Sequence, residues 1–301
     1  MMMTHLPPDA PQTASLSRRI AIWREAAVSV AFAAGLLCAL MALPDAAHAQ
    51  ARLEATYVAK LAGIPVGKGA WTVSLNGDHF VTAASGGTSG WLRAFSTGSG
   101  TSAARGRLSG EQIIPSTYAA TLEINKKSDD IRMELNNTGV KTFSINPEPP
   151  EDPARIPITE ESKRGVKDPM SAILLRVRGT GHPLSEDACR AASSVFDGRL
   201  RYDVVLEYRR MDQVKAEKGY QGPSVVCGVR FTPVAGHNPE RKAVKYIASQ
   251  NQIEVWLVPI GATRFLVPFR VTSPTPVGMA SIEARDFVVY PQPIPASIKT
   301  P

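Results

Sequence analysis

Apolar and polar residues alternate with a period of two through about a dozen segments of this chain, and that rhythm constrains its fold more than any other feature. Trp71, Val73 and Leu75 share one strand face, with Ala70, Thr72 and Ser74 on the other. The same pattern recurs in Tyr118–Ile124, Ile131–Leu135, Tyr202–Tyr208, Val225–Phe231, Ile253–Leu257 and Phe265–Val271. Strands with one apolar face each imply antiparallel pairing, because buried parallel strands read as continuous apolar runs. Short turn signals, Asn76-Gly77 and Asn137-Thr138-Gly139, favour a meander of sequence neighbours. The expected fold is mainly β, a large curved antiparallel sheet rolled into a barrel or half-barrel, with two or three short helices.

The helices expected are few. Asp168 is placed to cap one, with Pro169 at its first position and Met170, Ile173, Leu174 and Val177 as its apolar stripe. Ser185–Ser194 suits a second, carrying Cys189, and Asn238-Pro239-Glu240 opens a third with Ala243, Val244 and Ile247 inward. The run from Pro147 to Pro153 is too rich in proline and acid for regular structure. This divides the chain into an N-terminal β-rich part, 50–146, a connection, 147–167, and a C-terminal β-rich part with the helices, 168–290. The two β-rich parts read as one continuous domain, and residues 291–301 as a flexible tail.

The first 49 residues have the grammar of an export signal: Arg18, Arg19 and Arg24, an apolar stretch Ala26–Ala42, then Pro44 and Ala47-His48-Ala49. Small residues at the third and first positions before a cut are what signal peptidase accepts, so cleavage is expected between Ala49 and Gln50. A retained anchor is the alternative, but an apolar core of about 17 residues lies at the lower limit for crossing a bilayer. Leu37 before Cys38 argues against a lipoprotein. The mature chain is then periplasmic and does not span the membrane. Its net charge of +7 is spread out, with nothing longer than pairs such as Lys126-Lys127 and Arg209-Arg210. Outside the cytoplasm nucleic acid is excluded as a partner, which leaves anionic lipid or wall polymer, or a solvated basic surface. Cys38 departs with the signal, and the remaining Cys189 and Cys227 form an even pair in an oxidising compartment, so a structural disulfide is expected.

Four stretches carry a family likeness. They are Tyr57–Gly67, a strand, turn and strand; Asp168-Pro169-Met170-Ser171-Ala172-Ile173-Leu174; Val195–Asp203, which contains Phe196-Asp197-Gly198-Arg199; and Cys227–His237. Together they resemble a family of exported bacterial proteins known as domain of unknown function 3108, over roughly Leu53 to Val289. The resemblance implies an envelope protein with a largely antiparallel β fold. It implies no established activity, so no functional residue is carried over from it.

Motifs for chemistry are missing. There is no Gly-x-Ser-x-Gly, Ser-x-x-Lys, His-Glu-x-x-His or Walker pattern, and Gly67-x-Gly69 sits inside a strand without a third glycine. No two of His79, His182 and His237 stand at metal-ligand spacing, so no metal, cofactor or catalytic set is assigned. His237, in a turn beside a helix start, serves either the turn or a ligand. Trp91, Leu92 and Phe95 interrupt a Gly-, Ser- and Thr-rich segment and form either a lid over a concave sheet or a cap on the core. The leading functional expectation is a non-enzymatic protein that binds or carries an amphiphilic, lipid-like envelope molecule. The alternatives are an envelope assembly or scaffold protein acting on a protein partner, and a hydrolase with a dispersed active site.

The export reading has a direct check: intact mass or N-terminal sequencing of protein recovered from the periplasm should give Gln50 as the first residue. A chain that still carries residues 1–49 contradicts it.

Overall fold

A computed structural model of the chain describes residues 51–90, 97–125 and 127–291. The alternating segments are strands. Seven precede the connection: β1 (Ala51–Leu61), β2 (Ile64–Asn76), β3 (His79–Thr88), β4 (Gly98–Ser109), β5 (Gln112–Ile124), β6 (Lys127–Asn136) and β7 (Gly139–Asn146). Eight follow it: β8 (Leu175–Arg176), β9 (Ala192–Phe196), β10 (Arg201–Lys215), β11 (Lys218–Gly219), β12 (Gln221–Ala235), β13 (Glu254–Pro259), β14 (Phe265–Thr275) and β15 (Gly278–Pro291). The alternation sorts as read: Leu53, Ala55, Trp71, Val73, Leu75, Ile131, Met133 and Leu135 are buried, while Arg52, Thr56, Arg132 and Glu134 are exposed. The β2–β3 hairpin turn is displaced by one residue from the expected Asn76-Gly77. Asn76 pairs with His79, so Gly77 and Asp78 form the loop, and Gly77 takes its first position at φ +61.

The strands form one sheet in the order β7-β6-β5-β4-β3-β2-β1-β15-β14-β13-β12-β10-β9, with β11 beside β15 and β8 beside β14. Two meanders are thus joined where β1 pairs with β15, and the strands before and after the connection share the sheet. The outer strands β7 and β9 are not hydrogen-bonded to one another, so the sheet is not closed. Side chains and the connection bridge this seam. Phe143 meets Phe196 edge-on at 5.5 Å, and Arg199 pairs with Asp129 at 2.5 Å. The connection itself makes isolated bridges, Arg164 with Gly139 on one side and Lys167 with Val195 on the other.

Burial departs from the expectation of a single apolar face in β12, β13 and β14. One face carries Val226, Trp256, Val258, Val267 and Phe269 into the main core, with Leu53, Val73, Phe80 and Phe287. The other carries Val225, Cys227, Val255, Leu257 and Leu266 into a second cluster, covered by Val177, Leu184, Ala188 and Cys189. Cys189 and Cys227 lie at disulfide distance, 5.5 Å between Cα atoms and 38 residues apart. The crosslink thus ties the covering segment to the sheet.

The helices are shorter than read. The Asp168-capped helix is a single turn, Pro169–Ala172, because β8 takes the chain into pairing with β14 and delivers Val177 to the second cluster. Ser185–Ser194 holds only a 3-10 turn, Glu186–Cys189, before β9 begins at Ala192. The third helix starts at Lys242 and ends at Ala248, with Val244 and Ile247 half-buried and Ala243 exposed rather than inward. Replacing both Cys189 and Cys227 with alanine should lower unfolding free energy by about 3–4 kcal/mol, read from urea midpoints. An unchanged midpoint would show that the crosslink has no hold on the fold.

Candidate functional site

The turns at one end of the sheet gather features that suit a ligand. Trp91, Leu92 and Phe95 lie outside the described residues, as do Ala49 and Gln50. The strands that flank the first three are described: β3 runs out to Thr88 and β4 begins again at Gly98, with Thr97 held by the Asn125 side chain. The β1–β2, β5–β6 and β14–β15 turns reach the same end, where the Ala62 N–H donates to the Met279 carbonyl at 2.9 Å. Ile64, Leu122, Ile124, Val277, Met279 and Ile282 are all exposed here.

Register explains what lies between them. Tyr57, Gly69, Gly86, Gly100 and Leu122 are directly opposed on β1 to β5, so they share a face. Three successive strands therefore present bare backbone just above the buried core, and glycines in strands mark places where another group approaches closely. The next row along β1 to β5, Thr56, Ala70, Ser85, Thr101 and Thr121, points to the opposite face. It lines an open depression of about 700 Å³, together with Lys68, Glu123, Arg285 and Asp286. Sequence reading missed both rows, since their members come together only through strand register.

The second and third likeness segments meet at the seam. The Lys167 N–H donates to the Ser194 carbonyl at 2.9 Å, and Phe196 N–H donates back to the Lys167 carbonyl at 3.0 Å. Asp168 is buried, with one oxygen accepting the Ser171 N–H at 2.9 Å and the other the Ser171 hydroxyl at 2.5 Å. Asp197 Oδ1 accepts the N–H groups of Arg199 and Leu200 at 2.8 and 2.7 Å, closing a turn around Gly198 at φ +95. Burial pushes both carboxyls above the ordinary aspartate range, against the pull of these hydrogen bonds. Burial likewise raises the phenols of Tyr118 and Tyr202, and the charges of Asp168 and Asp197 add to it. Both carboxyls thus serve turns. Asp203, with its side chain 39% exposed on β10, accepts from the Ser194 hydroxyl and the Arg201 guanidinium at 2.7 and 2.8 Å.

The histidines remain apart. His79 lies 2.6 Å from Asp78 on an exposed turn, and His182 Nδ1 accepts the Leu184 N–H at 3.2 Å. His237 is 8% exposed at the end of β12, its carbonyl accepting the Ile156 N–H, and its Nδ1 has no hydrogen-bond partner among the described residues. Trp91, Leu92, Phe95 and His237 are therefore not shown as one site. Among the described residues no three His, Cys, Asp or Glu side chains are grouped to hold a metal ion.

These features define a mainly β protein of one large antiparallel sheet, with a glycine-floored, apolar-rimmed end and a seam whose turns are capped by buried carboxyls. The chain belongs to the family described as protein of unknown function (DUF3108), whose model matches residues 55–285. Among solved structures it is similar to the crystal structure of a beta-barrel-like protein of domain of unknown function DUF1849 from Brucella abortus. Identity is 11%, with 80% of this chain and 98% of that chain covered and a TM-score of 0.43. No curated protein matches.

The buried Asp168 leads to a pH test. A raised pKa means that the native state keeps the proton to higher pH than the unfolded chain does. Between the two values the native state binds more protons, so this group's contribution to stability falls as pH rises. Asp168→Asn keeps a good cap and removes the ionisation. Its urea midpoint should improve relative to the parent as pH rises above the ordinary aspartate value of about 4, whereas parallel midpoint curves would show that the Asp168 carboxyl is not strained by burial.

Proposed function

We propose that this is an exported, non-enzymatic binding protein of the bacterial envelope that holds an amphiphilic, lipid-like molecule at the glycine-floored end of its sheet. One observation carries the reading: bare backbone at Gly69, Gly86 and Gly100, directly opposed and rimmed by exposed Ile64, Leu122, Ile124 and Ile282. An apolar chain lying there touches peptide planes closely and shields the rim from water. The main core is filled with side chains, which favours a ligand at the rim over one inside the sheet. On this reading the sheet is a half-barrel, its seam held by side chains. The export signal read in residues 1–49 supports a periplasmic location. A hydrolytic role is disfavoured because both oxygens of Asp168 and the Oδ1 of Asp197 are occupied by turns.

A second reading, an assembly protein acting through protein contacts, is favoured by the edge strand β7, which pairs with β6 along one side only. A partner strand can add to such an edge.

Native mass spectrometry of protein from the periplasm should show a lipid-sized adduct. The Leu122→Asp/Ile124→Asp variant should lose it while folding normally, because both side chains are exposed. Burying each such residue is worth about 1.5–3 kcal/mol, so affinity should fall by at least about tenfold. Repeated preparations without any adduct, or an adduct indifferent to these substitutions, would overturn the reading.

A further inference from the structure

The opposite end of the sheet holds a cleft of about 770 Å³ between the β4–β5 and β6–β7 turns, the segment 165–179 and the segment 187–193. Its ionisable lining is Lys167, Arg176, Arg178 and Arg190 against Glu111 and Asp187, four cations to two anions. The anions are already engaged. Glu111 lies 3.5 Å from Arg178 and also accepts the Gly179 N–H, while Asp187 and Glu186 both pair with Arg190. Among the described residues Lys167 and Arg176 have no ion-pair partner.

Both cations are set in place. The Lys167 backbone is anchored, its peptide bonding to β9 through Ser194 and Phe196, and the residue lines the cleft. Arg176 is on β8, paired to Phe265, and its guanidinium lies 5.5 Å over that ring. Burial lowers the Lys167 pKa, and Arg178 pushes the same way, only partly opposed by Asp168. The Asp168 carboxyl itself is committed to Ser171. Two cations on a cleft wall that make no direct ion pair among the described residues are a receptor for negative charge.

We propose that this cleft binds a phosphomonoester group, carried by a small molecule or by a lipid headgroup. A phosphate dianion matches the two unpaired cations in charge. The lysine supplies a point charge and the arginine a planar fork that can take two oxygens. The cleft lies within the roughly 300–1,000 Å³ usual for small-ligand sites, so it has room for the group and part of its carrier. The site is independent of the apolar rim and stands whether or not an amphiphile binds there.

The test is calorimetric titration of the mature protein with inorganic phosphate and with glycerol 3-phosphate, in a phosphate-free buffer at matched low salt. Flotation with phosphatidylcholine vesicles, with and without phosphatidic acid, is the lipid arm. At least one phosphate probe should bind. Lys167→Met and Arg176→Gln should each weaken it by about tenfold or more, as expected on losing a charge-assisted hydrogen bond. Lys167→Arg should largely restore binding, which separates a charge role from a packing role. Arg230→Gln, on an exposed stretch of β12, should leave it unchanged. Soluble probes that bind assign a free phosphorylated molecule, and binding confined to phosphatidic acid vesicles assigns a headgroup. Failure of every phosphate probe, or undiminished binding by a folded Lys167→Met/Arg176→Gln variant, overturns the proposal.

Discussion

The pairing of β1 with β15 is the constraint on which the rest of the architecture depends. It joins the first and last described strands over a register from Ala51↔Pro291 to Leu61↔Ala280, and Thr56 donates to Asp286 at 2.6 Å across 230 residues. Bringing chain ends together over such a span costs on the order of 5 kcal/mol of closure entropy, and it rewards the chain only once both meanders exist. Neither half owns the main core. Leu53 and Val73 come from the first meander and Phe269 and Phe287 from the second, and their packing forms when this junction does. Non-local pairing of this kind makes for slow folding, in which each hairpin forms early and the junction late.

The junction also sets the division of labour along the sheet. In β12–β14 side chains fill both faces, and the covering segment with Cys189 shields the second from water. In β2–β4 the row Gly69, Gly86 and Gly100 has no side chains at all. A single sheet is thus stiff and doubly buried on one flank, and bare on the other. Packing is thinnest along the glycine row, while β12–β14 are clamped from two sides.

Much of this was legible in residues and their spacing. Alternation marked the strands because one buried face imposes a period of two, and Asp168-Pro169 marked a helix start because a carboxylate can accept the free N–H of Ser171. What escaped reading depended on partners remote in sequence. The Met170–Val177 stripe suits a helix, yet pairing of β8 with β14 overrides it after one turn. Val225-Val226-Cys227 is a continuous apolar run, the mark of burial on two faces, but period-two reading hides it by counting every second residue. Glycines far apart in the chain become a floor only through register, and the lack of a direct ion pair at Lys167 and Arg176 emerges only once Glu111 and Asp187 are found paired with Arg178 and Arg190.

The missing hydrogen bonds between β7 and β9 have a geometrical consequence. In a closed barrel, strand number and stagger are integers, and together they dictate the radius. Here the circumference has no such quantum, because its last step is a ring-on-ring contact, Phe143 on Phe196, the reach of Arg199 to Asp129 and two isolated bridges made by the connection. Its girth can vary continuously with the tilt of a few side chains, while every rung of the ladder remains intact.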